Sequence, residues 1–526
     1  MGTRWVLAAL VAIAWGIAAA QPPAIFQEGV RNAAGRIPPS LPGGAIARGA
    51  RFTIEGVRFA GLPGQVRIRV AGAEARVLRV EPRTVEALMP ADAPLGEAAF
   101  TVSRGGETSR PFSLRVVSAA FGIYSRNGRG WGPGQIGQVD ASGRRRPNSP
   151  EAAARPGQTI VLRGTGLGGM RPRILVGGQP APVAWVKPAA GEAGIEEVAV
   201  RLPERAAEGC WVPVAALAGG YASNTVTVAI RRGGGPCIPP ADWPQPLAPG
   251  RKTAGLLFLA RAFLHAEFTP GVPSAAINDE GAAVFLEAEP GEDLLLPIHL
   301  APPSGTCTAY TGLYESAGGF TSTLLGMLLE NVRGRGLDAG ASIALNGARA
   351  ARTLPAARRT QGFYGALLGS ETPGGRARPL FLDPGSYQAT APGGPGVGPF
   401  RVSLNMPRPF SWTNEDRLET IDRARGFTVE WQGLAPTAPL GILAVNVDPR
   451  TTAMAACFCV AAPGSRGFHV PPAMLANLPA AAPPAGLPLS MLFVGSLGSA
   501  QPMQARGLDQ GAAETLVIRG REARFR

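Results

Sequence analysis

The side chains of this 526-residue chain that could do chemistry are three histidines, five cysteines and a sparse set of carboxylates, and their spacing speaks against most of it. His265, His299 and His469 stand far apart, and none lies within four residues of a cysteine, whereas a legible metal site places its ligands at short intervals. Each has apolar neighbours and is expected to pack against a hydrogen-bonding partner. The nearest approach to the Gly-x-Ser-x-Gly elbow of a serine hydrolase is Tyr314-Glu-Ser-Ala-Gly318, with tyrosine where the first glycine belongs. Glu287, Glu289, Glu292 and Asp293 crowd around Pro290-Gly291, a turn signature that predicts a solvated loop rather than the opposed carboxylates of a glycosidase. Asn278-Asp-Glu-Gly281 reads as another turn, too short for a calcium loop. Gly164-Thr-Gly166-Leu-Gly-Gly169 satisfies G-x-G-x-x-G, but the text that follows, Arg171 to Gly178, predicts a strand and hairpin, not the helix whose N-terminus would meet a pyrophosphate. Trp211, Trp412 and Trp431 carry rings that stack on sugars; sandwich-core positions are the competing expectation. No catalytic residue, cofactor or metal site is expected.

The cysteines are Cys210, Cys237, Cys307, Cys457 and Cys459, and the N-terminus says how to read them. Arg4, an apolar run from Trp5 to Ile17 and Ala18-Ala19-Ala20 form the three parts of a secretory signal peptide, residues 1–20. The run is shorter than the ~20 residues of a membrane span. An exported chain uses cysteine for disulfides first. Cys210 and Cys237 are expected to staple the exit of one module, closing a loop worth about 3 kcal/mol in the chain-entropy model. Cys307 pairs with Cys457 or Cys459. These two are spaced i, i+2, so on a strand they share a face and do not readily bond each other. One thiol is left over.

Positioning elements come from a repeat. Arg51-Phe-Thr-Ile-Glu-Gly56, Val66-Arg-Ile-Arg-Val70, Ala71-Gly72, Met89-Pro90, Gly105-Gly106 and Phe112-Ser-Leu-Arg-Val-Val117 follow the same order as Thr159-Ile-Val-Leu-Arg-Gly164, Ile174-Leu-Val176, Gly177-Gly178, Leu202-Pro203, Gly219-Gly220 and Thr225-Val-Thr-Val-Ala-Ile230. Short alternating apolar runs broken by glycine and proline about every ten residues predict small antiparallel sandwiches. Glycine (71) and proline (52) together suit many strands joined by tight turns and exclude long helices. The fold class is therefore all-β: tandem immunoglobulin-like sandwiches with further β-rich domains at the C-terminal end. The net charge of +14 comes almost wholly from arginine, since Lys187 and Lys252 are the only lysines. The arginines are dispersed. The densest run, Arg144-Arg145-Arg146, sits in loop-like text with no interleaved aromatic, so no specific nucleic-acid partner is expected, while salt-sensitive adhesion to acidic polysaccharide stays open.

The first repeat resembles an IPT/TIG immunoglobulin-like domain, with Ala71-Gly72 in place of the usual Gly-Gly. The stretch from Ala120-Phe-Gly-Ile-Tyr124 through Leu162-Arg-Gly-Thr-Gly-Leu167, Val176-Gly-Gly178, Gly209-Cys-Trp-Val-Pro213 and Ser223-Asn-Thr-Val-Thr-Val-Ala-Ile230 is similar to the immunoglobulin-like domain of secreted soil-bacterial proteins. The resemblance implies export and a sandwich fold, and brings no catalytic residues. The expected plan is a loose Pro/Gly-rich leader (21–45), an IPT/TIG-like sandwich (46–117), a second sandwich (118–232) entered through an extended stretch, a linker (233–249), a β-rich domain (250–405) holding one short helix at Thr321 to Val332, and a C-terminal sandwich (406–526). The expected role is a secreted or cell-surface, non-enzymatic adhesion or scaffold component with a polysaccharide or protein partner and weak carbohydrate binding. The alternative is a secreted hydrolase with its site in residues 250–526.

Overall fold

The structure, a computed structural model, describes residues 21–140, 142–238, 252–269, 272–288, 301–313, 334–358, 360–371, 378–480, 490–498 and 500–526. The signal peptide, His299, Glu289, Glu292, Asp293, Tyr314 to Gly318, the helix expected at Thr321 to Val332 and most of the 233–249 linker fall outside the described residues.

The chain is all-β, and its front half is two immunoglobulin-like sandwiches in tandem. In the first, Arg51–Val57 and Thr84–Leu88 lie in one sheet and Val66–Val70, Gly96–Arg104 and Phe112–Val117 in the other; Ala73–Val80 serves both, pairing with Val66–Val70 through Ala75 and with Thr84–Leu88 from Arg76 onward, where a bulge follows between Val77 and Arg79. Alternation does the folding. Val66–Val70 reads buried, exposed, buried, exposed, buried, and its inward residues join Phe52, Ile54, Phe100 and Val102 in one core. Phe52 and Phe100 meet edge to face, with centroids 5.7 Å apart. The second module places Arg145–Pro147, Ile136–Val139, Thr159–Thr165, Glu196–Arg201 and Val183–Pro188 in one sheet and packs it on a sheet built around Arg173–Val176 and Gly209–Ala218. Ile136, Ile160, Leu162, Val198, Val212 and Val228 fill the space between.

Several expectations are corrected here. Residues 21–45 are no loose leader: Ala24–Asn32 pairs with Arg51–Val57 as a strand of the first sandwich, and Ile37 and Leu41 are buried against the rear half. A register shift between Ile25 and Val30, with Glu28 at φ +58°, interrupts the period that would have revealed this strand. The extended stretch that enters the second sandwich, placed within 118–232, forms strands: Ile136–Val139 pairs with Arg145–Pro147 and with Thr159–Thr165. Asn278 to Gly281 is no turn but the middle of the long strand Val272–Ala288.

The boundary expected at 405/406 falls inside one sheet. Ten strands join in it, and it draws Thr253–Thr269, Val272–Ala288 and Thr306–Leu313 together with Leu440–Val447, Ala453–Ala461, Ser490–Leu497 and Gln510–Glu522. Its closing contact is parallel: Ala254 to His265 pair in register with Gln510 to Arg521. Its inner face packs on the four-stranded sheet of Ser342–Asn346, Ala351–Pro355, Gly385–Ala391 and Phe400–Met406 through Leu259, Phe285, Leu345 and Leu404. Inside this unit the Asp279 carboxylate takes both forks of Arg261 (2.7 and 2.8 Å) and the backbone N–H groups of Phe381 and Leu382 (2.6 and 2.7 Å). A fully buried carboxylate with four donors holds two layers together, and removing one partner of such a pair is costly.

Each sandwich turns two hairpins on two residues in the left-handed region: Gly105-Gly106, Gly177-Gly178 and Gly219-Gly220, and at the fourth corner Ala71-Gly72, with Ala71 at φ +47°. Such turns match the strand twist but penalise a Cβ. Ala71→Gly is expected to raise the unfolding free energy by roughly 0.5–1 kcal/mol and Gly177→Ala to lower it by roughly 1–2 kcal/mol. Urea titration of the two variants checks this; a destabilising Ala71→Gly contradicts it.

Candidate functional site

The folded chain spends most of its sequence-level candidates on itself. The G-x-G-x-x-G amides of Gly166 and Leu167 donate to the Glu196 carboxylate (2.8 and 3.1 Å), so an internal acid occupies the position a phosphate would take. Burial raises the Glu196 pKa against those bonds. His265 Nδ1 meets Glu415 Oε1 at 2.5 Å, and Arg519 Nε stands 3.4 Å from the other oxygen of this buried carboxylate. His469 sits on a different sheet, against the Thr428 hydroxyl at 3.2 Å. Glu287 accepts from Arg335 at 3.0 Å. Trp211, Trp412 and Trp431 are 7, 5 and 2% exposed, so all three are core residues and none offers a face to a sugar.

The cysteines resolve as two bridges and a thiol. Cys210 joins Cys237 (S–S 2.06 Å) and Cys307 joins Cys459 (2.08 Å), directly opposite it on the neighbouring strand. Cys457 stays free and buried, 3.7 Å from the Cys459 sulfur, and burial pushes its thiol pKa up, away from reactivity. Among the described residues these three sulfurs are the only cluster of metal-ligating side chains, and two of them are committed to a bond.

What remains open is the Arg145–Pro147 edge of the six-stranded sheet in the second module, beside its outer face. Register places Pro147, Gly137, Val161, Ala199 and Trp185 in one row across Arg145–Pro147, Ile136–Val139, Thr159–Thr165, Glu196–Arg201 and Val183–Pro188. Arg163, Glu197 and Lys187 form the next row on one side, and Arg145 starts the row on the other. A Cβ on Gly137 would come within 2.8 Å of Arg145 Cγ and Cδ, so the absence of a side chain there is what lets the Arg145 stem lie flat across the row. Its guanidinium reaches Glu197 with two bonds, 2.6 and 3.2 Å, and holds that carboxyl below the ordinary carboxylate range. Arg163 is fixed by both oxygens of Glu192 (2.6 and 2.7 Å). Lys187 Nζ lies 4.5 Å over the half-buried Trp185 ring. The edge of this face opens into a cleft of about 410 Å³, lined by Arg126, Arg145, Arg146 and Arg163 with Gln135 and Asn148. Arg145 and Arg146 of the arginine triplet, with Pro147, thus form an edge strand beside a concavity, not the loop expected from composition, while Arg144 precedes the strand. Side-chain alternation could have found it, because Arg145 and Pro147 point one way and Arg146 the other.

A second concavity of about 670 Å³ lies where the two sandwiches meet the rear unit. Its charges are internally engaged: Arg115 with Glu97 at 3.4 Å, Glu28 with the Ser40 amide at 3.0 Å, and Arg423 with the carbonyls of Leu478 and Arg526 (2.5 and 3.0 Å).

Comparison with known proteins adds little. No protein-family model matches the chain, and no curated protein matches it. Solved structures that share β-rich regions include the plexin A4 extracellular region (13% identity, TM-score 0.17, 38% of this chain and 17% of that one). Others are SGBP-B of a Bacteroides ovatus mixed-linkage glucan utilization locus (11%, 0.14, 77% and 78%) and domains 5–6 of the S-layer protein SbsC (12%, 0.17, 40% and 98%). The match spans under a fifth of the plexin region, and at these TM-scores none of the overlaps carries an argument about ligand or activity.

Two carboxyls in the rear sheet are perturbed by burial alone. Glu514 is pushed up to about 8, with Oε1 unpartnered, and Glu280 up to about 7. They lie on strands flanking opposite sides of Thr253–Thr269, opposite Phe258 and Ala260 respectively, so they do not form a facing pair. Their folded pKa values exceed the unfolded 4.5, so the folded chain keeps protons that the unfolded chain releases, and stability falls as pH rises from about 4.5 through 8. Urea unfolding at pH 5, 7 and 9 should show this decline, with a shallower slope in Glu514→Gln; an unchanged slope contradicts it.

Proposed function

We propose that this protein is an exported, non-enzymatic scaffold of β-sandwich modules that holds a cell-surface polysaccharide or protein on the outer face of its second module. The observation that carries the reading is the open, cation-lined cleft at that face. In it the exposed Arg126 guanidinium has no partner among the described residues, so donor capacity faces outward. Two disulfides suit an oxidising compartment, and among the described residues no helix is long and apolar enough to cross a membrane.

The same geometry weighs against the hydrolase alternative. Hydrolysis needs an acid and a base, or a nucleophile and its base, converging on one point. His265 is bound to Glu415 and His469 to Thr428 on separate sheets, Glu280 and Glu514 stand on either side of an intervening strand, and Glu287 is paired with Arg335. A panel of polysaccharides incubated with the full chain tests both halves of the reading. The expected result is retention of at least one polysaccharide with no release of reducing ends; reducing ends that disappear in His265→Ala would establish the hydrolase instead.

A further inference from the structure

We infer that the second-module face selects an anionic polysaccharide, one bearing carboxylates or sulfates, through Arg126 and Arg146 at the mouth of the cleft. This inference rests on reading that face as the ligand surface and names the class of ligand it takes.

The first argument is the inventory of hydrogen-bonding groups. The carboxylates on this face are already spent: Glu197 on Arg145 and Lys187, Glu192 on Arg163, and Asp140 on the Ser142 hydroxyl and the arginines beside it. Six cations, Arg126, Arg144, Arg145, Arg146, Arg163 and Lys187, face three carboxylates, so the surface keeps a positive excess. Arg126 is exposed and its guanidinium has no partner among the described residues. Arg146 is 59% exposed and reaches Asp140 only at 3.8 Å. A cleft that offers donors and positive charge with no unpaired carboxylate favours a ligand rich in anionic oxygens, which planar guanidinium forks bind two at a time. A neutral glucan would leave that positive excess without counter-charge.

The second argument is shape. The cleft holds about 410 Å³, far more than one inorganic ion needs. It opens at the Arg145–Pro147 edge of the sheet, because across the middle of the face Val161 and Ala199 are fully buried and the Arg145 stem lies over Gly137. Single-stranded nucleic acid is disfavoured because its bases stack on open aromatic faces, and the one indole here, Trp185, already carries Lys187.

Dispersed arginine elsewhere gives every surface some affinity for polyanions, so the test must separate a built face from bulk charge. The full chain is measured at 0.15 M salt against polygalacturonate, heparin, a neutral β-glucan and single-stranded DNA. Arg126→Ala/Arg146→Ala is compared with Arg67→Ala/Arg69→Ala, which removes two exposed arginines from a strand of the first module. The expected result is binding to polygalacturonate or heparin, the two arms telling carboxylate from sulfate. The cleft variant should weaken that binding roughly tenfold and the control less than twofold. Equal losses in both variants, or tighter binding of DNA, would overturn the proposal. Neutral β-glucan binding that the cleft variant abolishes would keep the ligand face but overturn the anionic class, and failure of every probe would remove the face itself.

Discussion

The rear half of this molecule depends on one strand being hydrogen-bonded along both edges. Thr253–Thr269 runs antiparallel to Val272–Ala288 on one side and parallel to Gln510–Glu522 on the other, so residues some 250 positions apart close a single sheet. Unpaired edges are costly to bury and dangerous to expose, and this closure removes both problems for the longest strands. It also makes the segments between them, from the four-stranded sheet to the Cys307–Cys459 bridge, parts of one cooperative body rather than beads on a string.

The same economy shapes the polar chemistry. Asp279 ties Arg261 to the Phe381-Leu382 backbone, Glu196 caps the Gly166-Leu167 amides, and Glu415 is clasped by His265 and Arg519. Each group resembles a piece of catalytic equipment when read as an isolated residue, and each is consumed in holding layers or turns in place. What is left for a partner is surface: a cation-lined cleft at the edge of a sheet whose inward residues fill a sandwich core.

Local rules made the sandwiches legible. Period-two alternation at Val66–Val70 and the Gly-Gly corners at 177–178 and 219–220 are statements about neighbouring residues, and the structure follows them. The spacing of Cys457 and Cys459 left the partner of Cys307 open, and only cross-strand register decides for Cys459. Three features were hidden for physical reasons. A bulge near Glu28 breaks the period of Ala24–Asn32; the charge of Asn278 to Glu280 mimics a turn because its neutralising partner, Arg261, lies on another strand; and parallel pairing to residue 510 onward leaves no mark on local text. The proposed ligand face was half visible. Arg144 to Arg146 stood out as a charge run, but the strand that aims Arg145 over Gly137 needed the register with Ile136–Val139.

The most direct measurement of where this molecule meets its partner is amide hydrogen exchange on the full chain with and without saturating acidic polysaccharide. The account predicts added protection in the strands and loops spanning 134–147 and 183–201, and none in residues 250–526. Protection centred instead on the rear sheet, around His265 and Glu415 or along Gln510–Glu522, would contradict it.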